Sequence, residues 1–216
     1  MPGLPVKLLA AIVLLAAAPA ARAQALNYQP VRVDVTVYGA YASADATSWG
    51  IGAAIEPKFN VSDRLAAGLR LEGAGFVTQQ VSVQGAGGGG QTTNVSQGAR
   101  AVTTVLAKAE YYLSNSTTRP FVGLGVGMYR IGAGSQSASS GGTVVQSAAA
   151  FSGFGFCPQL GVNFGGFRLA GTYHVVMGGD MVVATQAVGT TTPVEVKLAK
   201  NFFAFELGGT IGGNRR

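Results

Sequence analysis

Five acids and six bases in this chain stand at spacings that could do chemistry. Arg32 and Asp34, Glu56 and Lys58, Arg70 and Glu72, and Lys108 and Glu110 are each two residues apart, while Arg168, Lys200 and Glu206 stand singly. An acid and a base two residues apart share one face of a β-strand and can reach partners on adjoining strands. On a wetted face such charges are solvated. In a closed interior they form an ion-paired, hydrogen-bonded core, and removing one partner strands a buried charge at a cost of several kcal/mol. Neither sign dominates the set, which suits mutual pairing better than selection of one ion.

The other reactive side chains form no constellation. His174 is the single histidine and Cys157 the single cysteine. No histidine or basic residue adjoins Cys157 in sequence to activate its thiol, so it reads as a small residue on a strand. The run Gly85-Ala86-Gly87-Gly88-Gly89-Gly90 lacks the lysine and following helix of a phosphate-binding loop and reads as a loop tip. Asn60-Val61-Ser62, Asn94-Val95-Ser96 and Asn115-Ser116-Thr117 match glycosylation tripeptides, a pattern that arises readily by chance. Nothing suggests a metal, nucleotide or haem, so no cofactor is expected, and the scattered basic residues make no nucleic-acid-binding patch.

The elements that carry the charges alternate with a period of two. Residues 31–41, 49–60, 65–77, 100–113, 121–131, 151–164, 167–177 and 202–212 each place apolar side chains on one face and charges, small residues or glycines on the other. In the last, Phe203, Phe205, Leu207 and Ile211 oppose Phe202, Ala204, Glu206 and Thr210. In residues 121–131, Gly123, Gly125 and Gly127 line the inner face and leave room for long side chains from neighbours. Pro57 puts the lower end of its strand in question, since proline donates no ladder hydrogen bond. Turns near Asn60, Ser114 and Gly165 are short. Connections over 79–98, 133–150 and 178–193 are long and rich in Gly, Ser, Gln and Thr, and only the one near Asp45 is brief on that side.

Composition agrees with β structure showing much apolar surface: 11% of residues are charged, 33 of 216 are glycine, and mean hydropathy is +0.32. Residues 1–23 have the order of a secretory signal. Lys7 precedes an apolar run from Leu8 to Ala18, then Pro19 and Ala21-Arg22-Ala23. The run is shorter than the roughly 20 residues of a spanning helix. The expected domain is therefore 24–216. Without Lys7 and Arg22 it has 13 basic against 9 acidic residues, a formal charge of +4 in place of +6.

About eight strands of bilayer-crossing length, with long and short connections sorted to opposite ends, are what a transmembrane barrel shows. A soluble sandwich has no reason to sort its loops. The expected fold class is all-β, an eight-stranded antiparallel up-and-down transmembrane β-barrel, with Tyr41, Trp49 and Phe151 as an aromatic girdle toward the loops and Phe59, Tyr111, Phe164 and Phe167 toward the turns. A barrel of this size has an interior just wide enough for side chains to fill, so these eleven charges, four pairs and three single residues, would make a lumen network. In this segmentation, Pro120 to Gly127 after a short turn and the closing 202–212 resemble the small outer-membrane β-barrel proteins of Gram-negative bacteria, similar to the OmpA transmembrane domain, OmpX and OmpW groups.

That resemblance implies a porin-like but non-enzymatic monomer in the outer membrane, exported by its signal peptide. Its partners would be outer-membrane lipid and, during biogenesis, the outer-membrane assembly machinery; a structural, adhesion or defence role would lie with the loops. The family's last strand usually carries a terminal aromatic, whereas this chain ends Gly212-Gly213-Asn214-Arg215-Arg216. Barrels that deacylate lipid A use a His and a Ser two residues apart, but residue 176 is Val, so that motif is absent beside His174. A narrow small-solute pore, or a soluble exported barrel that binds an apolar ligand in the manner of lipocalins, are the alternatives.

Overall fold

The computed structural model describes residues 30–43, 47–78, 81–84, 92–95, 100–133, 150–178, 181–185 and 194–212. They form twelve strands: β1 (Val31–Ser43), β2 (Thr47–Asn60), β3 (Leu65–Thr78), β4 (Val81–Gln84), β5 (Thr92–Val95), β6 (Arg100–Tyr112), β7 (Thr118–Ala133), β8 (Ala150–Phe164), β9 (Phe167–Val176), β10 (Met181–Thr185), β11 (Val194–Leu198) and β12 (Phe202–Gly212). Eight of them close a barrel in the order β1-β12-β9-β8-β7-β6-β3-β2, each antiparallel to its neighbours. The remaining four pair as separate hairpins, β4 with β5 and β10 with β11. Two of the long connections therefore contain strands, which the polar, glycine-rich composition of 79–98 and 178–193 had concealed. Gly85 to Gly90 and residues 1–29 lie outside the described residues.

Alternation decides what faces where. In β6 every second residue is buried, from Arg100 to Tyr112, and the residues between are exposed. A face of period two can do this only on a wall with two different surroundings. All eight walls carry an outward apolar face, with Ile51, Leu69, Leu71, Val105, Leu124, Leu160, Phe205 and Leu207 among its residues. Charged and small residues turn in, together with a smaller set of aromatic and aliphatic ones such as Phe76, Leu106, Tyr129 and Phe202. This is the reverse of a barrel that shelters an apolar ligand.

The register fixes the geometry. Facing residues followed once round the barrel run from Arg130 through Thr103, Gly73, Ala53, Val37, Leu207, Leu169 and Val162 to Pro120, so closure carries a stagger of ten residues, 130 less 120. With strands about 4.8 Å apart and a rise of about 3.3 Å per residue, that stagger over eight strands tilts them by about 40°. Each step along a row of facing residues then descends by about 1.25 residues, which places every wall residue at a height.

Two prolines mark the interruptions of the ladder. Pro57 faces Val33 in β1, but the β2–β3 register passes from Ile55↔Leu71 to Lys58↔Gly68 without a pair between. Pro158 faces Leu124, and the β8–β9 register likewise passes from Phe156↔Val175 to Gln159↔Thr172. A residue without an N–H can serve one neighbouring strand and not the other. Both strands nonetheless continue through their prolines, so β2 runs in full to Asn60.

Lumen aromatics lie on glycines of the next strand. A Cβ built on Gly52 would fall 2.3 Å from the Tyr38 ring, on Gly50 2.8 Å from Phe76, on Gly155 2.7 Å from Tyr129, and on Gly161 2.5 Å from Phe121. On the glycine-lined β7, the room at Gly125 is taken by Cys157 Sγ and Leu106. Gly161→Ala must displace the ring of Phe121 and also meets Leu169 O at 2.5 Å. It should lower stability by about 1–3 kcal/mol, the usual range for overpacking, read as a shift in the urea midpoint of the folded barrel. An unchanged midpoint would mean that the ring has slack.

Candidate functional site: a charged lumen beneath an apolar layer

Inside the barrel, Arg32, Asp34, Glu56, Lys58, Arg70, Glu72, Lys108, Glu110, Arg168 and Glu206 are all buried, five acids against five bases. Lys58 Nζ sits in a cage of three carboxylates, 2.7 Å from Asp34 Oδ2, 2.9 Å from Glu56 Oε1 and 2.6 Å from Glu110 Oε1. These three acids also converge closely enough to hold a metal ion. The ammonium of Lys58 already occupies the centre of that cage, so the cluster carries its own cation.

Glu110 is the most connected acid. It meets Lys58, Lys108 Nζ at 3.0 Å, Arg32 Nη2 at 2.9 Å and the guanidinium of Arg168, and it accepts the Tyr112 hydroxyl at 2.7 Å. Arg168 extends the set by donating to Asp34 Oδ2 at 3.1 Å and Gln159 Oε1 at 2.7 Å. Higher in the lumen, Arg70 donates from both terminal nitrogens to the two oxygens of Glu206 at 2.9 Å, and from Nε to Glu72 at 2.6 Å. Lys108 and Arg70 both approach Glu56, at 2.9 and 3.5 Å, and join the two halves into one network. The planar fork of arginine suits the paired oxygens of Glu206, and desolvated, hydrogen-bonded pairs of this kind are strong.

Lys200 is the eleventh charge of the set read from the sequence, and it lies outside the barrel strands. It lies in the segment 199–201 between β11 and β12, half-buried, with Nζ donating to Gly178 O at 2.6 Å and 5.4 Å from the Phe151 ring. The strand has not yet begun there, so counting by twos back from Glu206 no longer fixes a direction. Phe151 also departs from expectation. It packs half-buried against the lumen cluster and does not join the outer girdle, because it shares the parity of Gly155 and Cys157.

Several lumen residues were not among the sequence candidates. Arg100 is buried, lies over the Phe76 ring at 4.7 Å and donates to Ala199 O. Arg119 is buried at the opposite end over Tyr112, donating to Asp63 O at 2.5 Å. Gln159 donates to Thr172 at 2.8 Å, and Thr172 donates to Glu206. Arg100 was legible by parity with Lys108 and Glu110. Arg119 was hidden because Pro120 suggested that the strand starts at Phe121, whereas β7 begins at Thr118.

His174 has a structural setting. Its ring stacks on Phe202 with centroids 4.1 Å apart, its Nδ1 lies 3.1 Å from the Tyr129 hydroxyl, and its Nε2 lies 3.7 Å from Glu72. Cys157 is buried.

Heights derived from the register sort the lumen into layers. The charged network occupies the lower and middle part. Above it Phe76, Val102, Ile131, Val176 and Phe202 belong to one buried apolar cluster and lie within about two residues of one height. Phe76 and Phe202 meet edge to face across it at 5.3 Å. The outer wall is banded too. Phe59, Tyr111, Phe164 and Phe167 fall within about 1.5 residues of a common height, and Tyr41 and Trp49 within about 1.5 residues of another, about ten residues above. At a tilt of about 40° the two girdles stand roughly 25 Å apart, the height of the apolar band of a membrane-spanning barrel.

An eight-stranded antiparallel barrel with an outward apolar band between aromatic girdles and a side-chain-filled lumen has the fold of a small outer-membrane β-barrel. No family model and no curated protein matches the chain. Among solved structures it is similar to the outer membrane protein OprG from Pseudomonas aeruginosa, at 12% identity over 84% of this chain and 96% of that one, with a TM-score of 0.52. Neisserial surface protein A is another neighbour, at 15% identity over 86% and 98% of the two chains and a TM-score of 0.47. At these identities the likeness is one of fold.

Proposed function

We propose that the chain is a non-enzymatic integral protein of a Gram-negative outer membrane, exported by residues 1–23, with a lumen closed to solutes and a structural, adhesion or defence role carried by its long connections. The observation that supports this most is the combination of an outer apolar band of bilayer height with a lumen in which five acids and five bases form one ion-paired network beneath an apolar layer. A wall of that height would be unstable in water, and a lumen of this width filled by long side chains leaves little room for an aqueous path.

The test has two stages. Expressed protein should stay with the membrane through carbonate and high salt, and should migrate differently on gels before and after boiling. Release by carbonate with no such shift would defeat the membrane assignment. Purified barrel in a planar bilayer should then show no steady conductance. Regular single-channel steps would instead favour the narrow pore.

A further inference from the structure

Among the described residues of the eight barrel strands, Arg130 in β7 carries the one charged side chain on the outer face. It is exposed, faces Thr103 of β6 on one side and Ser152 of β8 on the other, and both of these are exposed as well. One row nearer the turns, Val105, Met128 and Phe154 face each other in the same way and are apolar. The outer wall therefore changes, within two residues along the strands, from a hydrocarbon-like surface to a guanidinium between two hydroxyls.

The height of this row is informative. Three steps along facing residues lead from Arg130 to Ala53, and Trp49 lies four residues nearer the loops on the same strand, so Arg130 and Trp49 stand level to within about one residue. Arg130 is thus at the upper aromatic girdle, where a charge on a barrel wall costs about 0–1 kcal/mol against 2–4 kcal/mol at the midplane. The row beyond it has only the small residues Ala101, Gly132 and Ala150, and a Cβ on Gly132 would meet nothing within 4 Å. No hydrogen bond or ion pair ties Arg130 to another described residue.

We infer that Arg130, with Thr103 and Ser152, is a contact for the phosphate group of a membrane lipid in the leaflet at the long-connection end. A guanidinium offers paired donors to a phosphate, two hydroxyls add further donors, and the apolar row below receives the acyl chains. The inference rests on the membrane reading above.

It is tested with wild-type, Arg130→Ala and Arg130→Lys barrels inserted in phosphatidylcholine vesicles containing lipid A, then extracted in mild detergent for native mass spectrometry. Arg130→Ala should retain about fivefold less lipid A than wild type, and Arg130→Lys an intermediate amount. Equal retention by all three inserted barrels overturns the inference and leaves the membrane reading intact. Failure of wild type to insert overturns both. Excess inorganic phosphate should not displace the lipid, because the chains hold it beside the wall; displacement overturns a lipid as the occupant.

Discussion

Glu110→Gln should be the most damaging single substitution in the lumen. The carboxylate stands among Arg32, Lys58, Lys108 and Arg168, all buried. The amide keeps the shape and loses the charge, leaving four cations to share Asp34 and Glu56. Breaking a buried charge set in this way costs about 3–5 kcal/mol, which should appear as a large fall in the urea midpoint of barrel refolded into vesicles. Pairing the change with Lys58→Met restores the balance of sign and should recover part of the loss. A fall below about 1 kcal/mol for the single change would mean that water reaches the cage and screens it. Glu72→Gln removes a partner of one buried base, Arg70, beside the His174 ring, and should cost less.

Leu71→Arg should be nearly as harmful, and for a different reason. Leu71 points outward about midway between the two aromatic girdles and is half-exposed. In a bilayer an arginine there costs about 2–4 kcal/mol, whereas Ala101→Arg, level with the upper girdle, should cost about 0–1 kcal/mol. In water both positions would accept an arginine with little change. The contrast between the two substitutions, measured in vesicles, therefore reports what the outer wall touches. Equal and small effects would contradict the membrane reading, while a large penalty confined to Leu71 supports it.

Much of this was legible in the chain because a closed barrel makes the period-two rule strict. Each wall has one crowded and one apolar side, so once Lys108 and Glu110 are placed, Arg100, Thr104 and Tyr112 follow by counting. The rule holds only while the ladder holds. Lys200 precedes β12 and turned to a backbone carbonyl, and Phe151 sat at a strand end where aromatic character suggested a girdle although parity pointed inward. The hairpins β4–β5 and β10–β11 escaped because their short valine-rich runs are embedded in glycine-rich and polar sequence. Which charges would touch was also beyond the chain alone. Glu206 meets Arg70 across 136 residues, a pairing set by the stagger of the whole wall.

The pairing of β1 with β12 joins Arg32 to Gly212, residues 180 positions apart, 212 less 32. The other barrel pairs are neighbours or near neighbours in chain order, so the sheet can grow hairpin by hairpin as the polypeptide is made, but its circumference cannot be completed until the last segment arrives. Until then two strands present bare peptide groups, which hydrocarbon cannot solvate. A chain cut before Phe202 should consequently have no stable shorter ring to fall back on, and the final eleven residues of β12 act as the latch on which the persistence of every other strand depends.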